Sequence, residues 1–410
     1  MSEIQDSEKS SHLTRRSFIA KSSLAAAGFT IMKPSLVRGS KQSSKLEVGI
    51  IGLGGRGSLI AKMLTEHNDY QLVAAADYFE EVVQAKGDEL NVPGNRRYST
   101  LSAYQQLIDS KVDAVFLETP PYCFPVHVSY AIGKGRHVYM AKPVACDAPG
   151  CLQILEAAKQ AESKKLTFLV DFQMPTDPYI QEVVRRIHDG AIGRMGLLIT
   201  SCGSHGFSDP PKTSTIESRL QELIWVNDTE LGCGYLGNYD IHALDVALWI
   251  AGEPPLSAAG SSRLVRENPH GDSHDVYSLT YQFKNGLILN HHSEHFRNVA
   301  SASLDCYAHG TEGYAETRYW GQTWLRSNIN PYKGGMVENL YSDGIARNLD
   351  RFYHNVTSSD YSNMTVTPAV NSTLASILGR DAAEQNSELT WETMLKENRR
   401  REVSLEGLKK

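Results

Sequence analysis

Cysteine is sparse in this chain: there are six in 410 residues, and none forms a CxxC pair. No Cys/His spacing fits a structural zinc site, so metal-stapled and disulfide-scaffold folds are excluded and no metal is expected. Cys123, Cys146, Cys151, Cys202, Cys233 and Cys306 are expected to be buried free thiols, with one disulfide left open should the protein leave the cytoplasm. Excess positive charge is also lacking. Lys and Arg number 41 against 47 Asp and Glu, a formal net charge of −6, which is not the footprint of a nucleic-acid binder. The moderately apolar run at residues 24–32 is too short to span a bilayer. No cysteine lies near it to carry a lipid, so no membrane anchor is expected. No internal repeat occurs, and the one biased stretch is Ser/Lys-rich, near residues 35–45.

What remains has ordinary globular composition, 41% hydrophobic and 21% charged, at a length that suggests two domains. The start of the chain stands apart. Thr14-Arg15-Arg16-Ser17-Phe18-Ile19 resembles a twin-arginine export signal, and Lys21 and Lys33 flank the apolar run behind it. Residues 1–44 are therefore read as signal and linker, and the mature protein is expected in the periplasm or outside the cell. If the Arg-Arg pair arose by chance, the protein stays in the cytoplasm.

Leu46–Ile51 reads as a buried strand, and Gly52, Gly54 and Gly57 follow it as GxGxxG, with Gly55 and Arg56 between. The first glycine permits a tight turn. The second lets backbone approach a pyrophosphate, and the third lets the next helix pack on the strand. That helix's N-terminus offers free N–H groups and partial positive charge to phosphates. A second strand at 71–76 ends at Asp77, placed to bind the adenosine ribose hydroxyls and to repel a 2′-phosphate. NAD is thus expected over NADP. Further strand–helix alternation follows, with strands at 112–118 and "GRHVYM" and a helix at 126–133, and this predicts a doubly wound parallel sheet. Thr119-Pro120 and Lys142-Pro143 fall at strand ends, where such sheets bind ligands.

The ordered set "VGIIGLGGRG", "AAAD", "LETPP…H", "GRHVYMAKPVACD", "DGAIG", "NYDIHALDVALWIAGEPP" and "SILGRDAAEQNSELTWETML" resembles the glucose–fructose oxidoreductase and inositol dehydrogenase (Gfo/Idh/MocA) family. The resemblance spans residues 46 to about 395. It implies an α/β protein: an N-terminal Rossmann domain, here 45–165, then an α+β domain, 166–400, with a large, mostly antiparallel open sheet that commonly makes homo-oligomer contacts. The residues agree in part, since "GRMGLLITSC", "DVYSLTYQF", "GLILNHHSEH", "SLDCYAHG" and "GYAETRYW" read as strands, and 345–357 and 372–385 as helices.

By this resemblance Lys142 matches the lysine of a Glu-Lys-Pro motif, with Ala141 in the glutamate's place. Its ammonium would meet the substrate hydroxyl, desolvation would make proton acceptance feasible, and a cis bond at Pro143 would aim it into the cleft. His242 matches the family's acid/base histidine. The aspartate common four residues earlier is Asn238 here, so Asp240 is considered as its substitute, and Asp245, three residues on, as an orienting group. Gln173 falls where relatives contact substrate. In "HHSEH", an extended strand would put His291, Ser293 and His295 on one face, and cleft lining or ordinary surface is favoured there over a metal.

The expectation is an NAD-dependent oxidoreductase on a carbohydrate or polyol, with tightly bound, internally recycled cofactor. Lys142, His242 and Asp240 would handle the proton. Gly52, Gly54, Gly55, Arg56, Gly57, Asp77, Thr119, Pro120 and Lys142 would face the cofactor, and Gln173, Asn238 and Asp245 the substrate. Two alternatives stand beside it: a redox-neutral glycosidase or lyase working through a transient keto-sugar, and a non-catalytic NAD(H)-binding protein. A dimer or tetramer through the C-terminal sheet is expected.

Overall fold

In the computed structural model, residues 45–298 and 300–410 are described. The export-like segment, residues 1–44, lies outside them. The described residues belong to one compact unit, built on two sheets.

The first sheet comprises β1 (Leu46–Ile51), β2 (Tyr70–Asp77), β3 (Arg97–Ser99), β4 (Ala114–Leu117), β5 (His137–Ala141) and β6 (Phe168–Asp171). All are parallel, in the order β3-β2-β1-β4-β5-β6. This is the doubly wound order in which the direction of strand addition reverses between β1 and β4, opening a crevice at their carboxyl ends. β1, β4 and β6 are nearly continuous apolar runs because helices cover both faces. One face packs helix Gly55–Glu66 through Ile60 and Leu64. The same apolar cluster takes Ile345, Leu349 and Phe352 from helix Leu340–Ser358, far along the chain. β6 lies past the boundary expected at 165, so the parallel sheet runs to residue 171.

The second sheet holds nine strands: β7 (Met195–Ser204), β8 (Ser257–Arg263), β9 (Val276–Gln282), β10 (Ile288–His295), β11 (Ser303–Gly310), β12 (Gly313–Arg318), β13 (Gly321–Ser327), β14 (Tyr332–Val337) and β15 (Leu389–Thr390). Their order is β14-β13-β12-β11-β7-β10-β9-β8-β15. Every pairing is antiparallel except β10 on β7. Alternation along β10 buries His291, Ser293 and His295 and turns Ile288, Asn290 and His292 outward. Helices Ile241–Ala251 and Val366–Glu384 fill the space between the sheets. The first is apolar almost all round and buried at nearly every position, as a helix inside a core must be.

All six cysteines are free thiols, five of them buried. No described helix is long and apolar enough to cross a membrane.

Candidate active site

The turn after β1 is built for a ligand's backbone-level approach. Gly52 takes φ +96, and a side chain there would strike the Glu118 carbonyl at 2.7 Å. At Gly57 a Cβ would meet the Gly52 oxygen at 1.9 Å, so only glycine lets the helix sit this close. At Gly54 and Gly55 a Cβ would meet nothing within 4 Å, and that open space adjoins the start of helix Gly55–Glu66. Beyond it lies a cavity of about 990 Å³, lined by the glycine turn, Asp77, Tyr78, Glu118, Thr119 and Pro120 among others. Asp77 Oδ2 accepts from Leu53 N–H at 2.7 Å and Oδ1 from Phe79 N–H at 3.0 Å. These bonds fix the carboxylate at the end of β2, facing the cavity. Open glycines, a helix N-terminus and an anchored carboxylate fit a dinucleotide: pyrophosphate over Gly54 and Gly55, ribose at Asp77.

Neighbouring strands end in charge. Arg56, from the glycine turn, reaches sideways along the carboxyl edge of the sheet. Its Nε lies 3.0 Å from Glu118 Oε2, just after β4, and its other end pairs with Asp171 at the end of β6. Lys142, after β5, shares this edge, so positive and negative groups alternate across it. Asp171 is well satisfied, accepting also from Asn348 Nδ2 at 2.6 Å and Gln173 Nε2 at 2.9 Å. Glu118 Oε1 is buried with no partner. Burial pushes the Glu118 carboxyl up to about 7 against the pull of Arg56.

Lys142 Nζ donates to the backbone carbonyl of Asn238, and the Lys142–Pro143 bond is cis. Burial, then the positive charge of Arg56, pushes its ammonium down to about 7, opposed by Asp171 and Glu118. His242 stands on the first turn of helix Ile241–Ala251, edge-on to Tyr319 at 5.2 Å and to Phe172 at 5.9 Å between ring centres. Burial, then the charges of Lys142 and Arg56, holds it well below the ordinary histidine range. Two nitrogen bases with lowered proton affinity thus share this buried region.

The other expected site residues divide. Thr119 and Pro120 line the cavity. Asn238 lies in the five-residue π turn Leu236–Asp240 that precedes the helix, and its carbonyl meets Lys142. Asp240 does not serve His242. Residues two apart do not face each other on a helix, and its carboxylate turns to β10, with Oδ2 3.2 Å from His291 Nε2 and Oδ1 2.9 Å from His295 Nε2. Burial alone would raise this carboxyl, but the two histidines hold it far below the usual range. His291 and His295 therefore serve Asp240 and do not line the cleft. Asp245 does not orient His242 either: it accepts from Ser372 Oγ at 2.6 Å, in the interface with helix Val366–Glu384. Gln173 is buried with both amide ends used inside the protein, donating to Asp171 and accepting from Tyr319 Oη at 3.2 Å, so it is not free for substrate. The side chains of Glu118, Asp171, Tyr319 and Asn348 went unnoticed in the sequence. Glu118 and Asp171 carried a signal all the same, since each ends a strand of a parallel sheet, where ligands gather.

Residues 46–170 match the family model described as an oxidoreductase family with an NAD-binding Rossmann fold, and residues 180–316 match the GFO/IDH/MocA C-terminal domain. The chain belongs to the Gfo/Idh/MocA family. Within it, 2,7-anhydro-N-acetylneuraminate hydratase of Escherichia coli is 25% identical over 246 residues, covering 59% of this chain and 60% of that protein. Inositol 2-dehydrogenase of Rhizobium meliloti is 25% identical over 236 residues, covering 57% and 63%. The chain thus spans less than two thirds of the length of these two relatives. The solved structure of a levoglucosan dehydrogenase in complex with NADH aligns with a TM-score of 0.69 at 17% identity, covering 85% of this chain and 99% of that one. At this identity the likeness speaks for the fold.

Proposed function

We propose that this chain is an NAD-dependent oxidoreductase that oxidises a hydroxyl-bearing carbon of a carbohydrate or polyol. The observation that carries the reading is one edge of one sheet. It presents a glycine cradle and Asp77 to a dinucleotide and, two strands along from the glycine turn, Lys142, whose charge acts on His242. Inositol 2-dehydrogenase among the relatives supports the substrate class.

NAD, when bound, supplies the hydride acceptor. The chain supplies the rest. Asp77 would take the ribose hydroxyls and disfavour a 2′-phosphate. A neutral Lys142 amine that donates to the Asn238 carbonyl keeps its lone pair for the substrate hydroxyl. His242, neutral at physiological pH, is a second acceptor for the same proton. Arg56 offsets only part of the charge of Glu118 and Asp171, so with Lys142 neutral the edge stays on the negative side, which suits the positive nicotinamide.

Likeness to a hydratase of an anhydro-sugar supports a second reading, in which hydride returns to the substrate after a transient oxidation. Product analysis of purified protein with and without an added hydride acceptor separates the two. Oxidised product that needs the acceptor supports net oxidation, and rearranged or hydrated product without it supports the redox-neutral route.

The export-like segment supports action outside the cytoplasm, where no dependable pool of free nucleotide exists. A cofactor loaded before export and kept in place suits that setting. The outward face of β10 supports a homo-oligomer joined through the second sheet.

A further inference from the structure

We infer that residues 401–409 form a strap across the adenosine end of the cofactor cavity, and that nucleotide leaves only when this strap lifts. The inference rests on the NAD reading above and adds a means of retention to it.

The segment has neither helix nor strand, yet it is pinned at both ends. At one end Arg401 N–H donates to Asp147 Oδ2 at 2.8 Å. Its guanidinium reaches Thr229 Oγ1 at 2.6 Å, Asp381 at 3.1 Å and Glu384 at 3.2 Å. At the other, Lys409 N–H donates to Tyr78 Oη at 3.1 Å, and Lys409 C=O accepts from Leu101 N–H at 3.0 Å. Between the pins, Val403, Leu405 and Leu408 line the same cavity as Gly54 and Asp77. Val403 also packs against the cluster of Trp225, Val226 and Leu231.

Tyr78 follows the ribose-facing Asp77 directly. Its hydroxyl accepts from the strap and donates to Glu217 Oε1 at 2.9 Å. One side chain thus ties the ribose site to the strap and to the loop opposite. A segment held by end points and a few apolar contacts opens at far lower cost than either sheet. It can therefore act as a gate while the fold stays intact. A closed gate slows dissociation, where most affinity differences reside.

The test is release of NADH from the full chain, followed by its fluorescence after mixing with excess NAD. Leu408→Asp should speed release by about tenfold or more, and Tyr78→Phe by less. In wild-type protein, hydrogen exchange of amides 401–409 should slow when NAD is added, a readout that stands even if Leu408→Asp does not fold. Release rates within about twofold of wild type in the folded variants, or exchange indifferent to NAD, overturn the strap. Failure of wild-type protein to bind NAD or NADH overturns the cofactor reading and the strap with it.

Discussion

Arg56 Nε lies 3.0 Å from Glu118 Oε2, and the same guanidinium pairs with Asp171 two strands further along the sheet edge. Lys142 sits within this charged row. Burial and Arg56 push its ammonium down to about 7, while Glu118 and Asp171 pull the other way. If the neutral amine accepts the hydroxyl proton, kcat/KM should rise with pH through about 7 and then level off. Glu118→Gln removes one of the charges that favour the ammonium, so the rising limb should move to lower pH. A pH profile identical to wild type would break the link between the row and the chemistry.

Asp77 sets the nucleotide preference. NAD should bind at least about tenfold more tightly than NADP, a difference of about 1.4 kcal/mol. Asp77→Ser should narrow the gap mainly by improving NADP. Titration of apo-protein with both nucleotides checks this, and equal affinity in wild type counts against it.

Asp240 and His242 are two residues apart and should behave in opposite ways. Asp240→Asn leaves His291 and His295 facing an uncharged amide in the buried interior. It should cost about 3 kcal/mol or more of stability in denaturant titration, with turnover per folded molecule largely kept. His242→Ala should fold, retain nucleotide and lose about 10²-fold or more in turnover. The reverse pattern would restore Asp240 as a proton-handling group.

Asp245 is buried without a positive partner, which pushes its carboxyl up to about 7. The folded state therefore holds a proton that the unfolded chain releases near pH 4. From about pH 4 to 7 the native state binds more protons, so this group lowers stability as pH rises through that window, and its cost is complete above it. Asp245→Asn keeps an acceptor for Ser372 and removes that cost. The variant should melt higher than wild type at about pH 8 and much like it at about pH 4. The difference is on the order of 4 kcal/mol at most. No difference at the higher pH would show that the carboxylate ionises freely in place.

The first sheet was legible because its signals are local. A strand, three spaced glycines, a helix and an acidic residue after the next strand each answer a physical need within a few residues. The second sheet was legible as strands but not as an order, since the parallel pairing of β10 with β7 joins segments far apart in the chain. Asp240 is the nearest carboxylate to His242 in the sequence, but the π turn and the two-residue offset direct it to a distant strand, which no local signal indicates. Glu118 and Asp171 gained meaning only once strand order put them on either side of Lys142. Residues 401–409 have no periodicity, and their role comes wholly from where the chain returns.

The central claim is hydride chemistry at a sugar carbon with proton transfer by Lys142 and His242. The most direct test is the near-ultraviolet absorbance of NADH when NAD-loaded protein is mixed with a panel of sugars and polyols under single-turnover conditions. At least one of them should produce bound NADH, transient or lasting, and Lys142→Ala and His242→Ala should each slow its appearance by about 10²-fold or more. NADH forming at the wild-type rate in both variants would contradict it, as would a protein that holds NAD yet never reduces it across the panel.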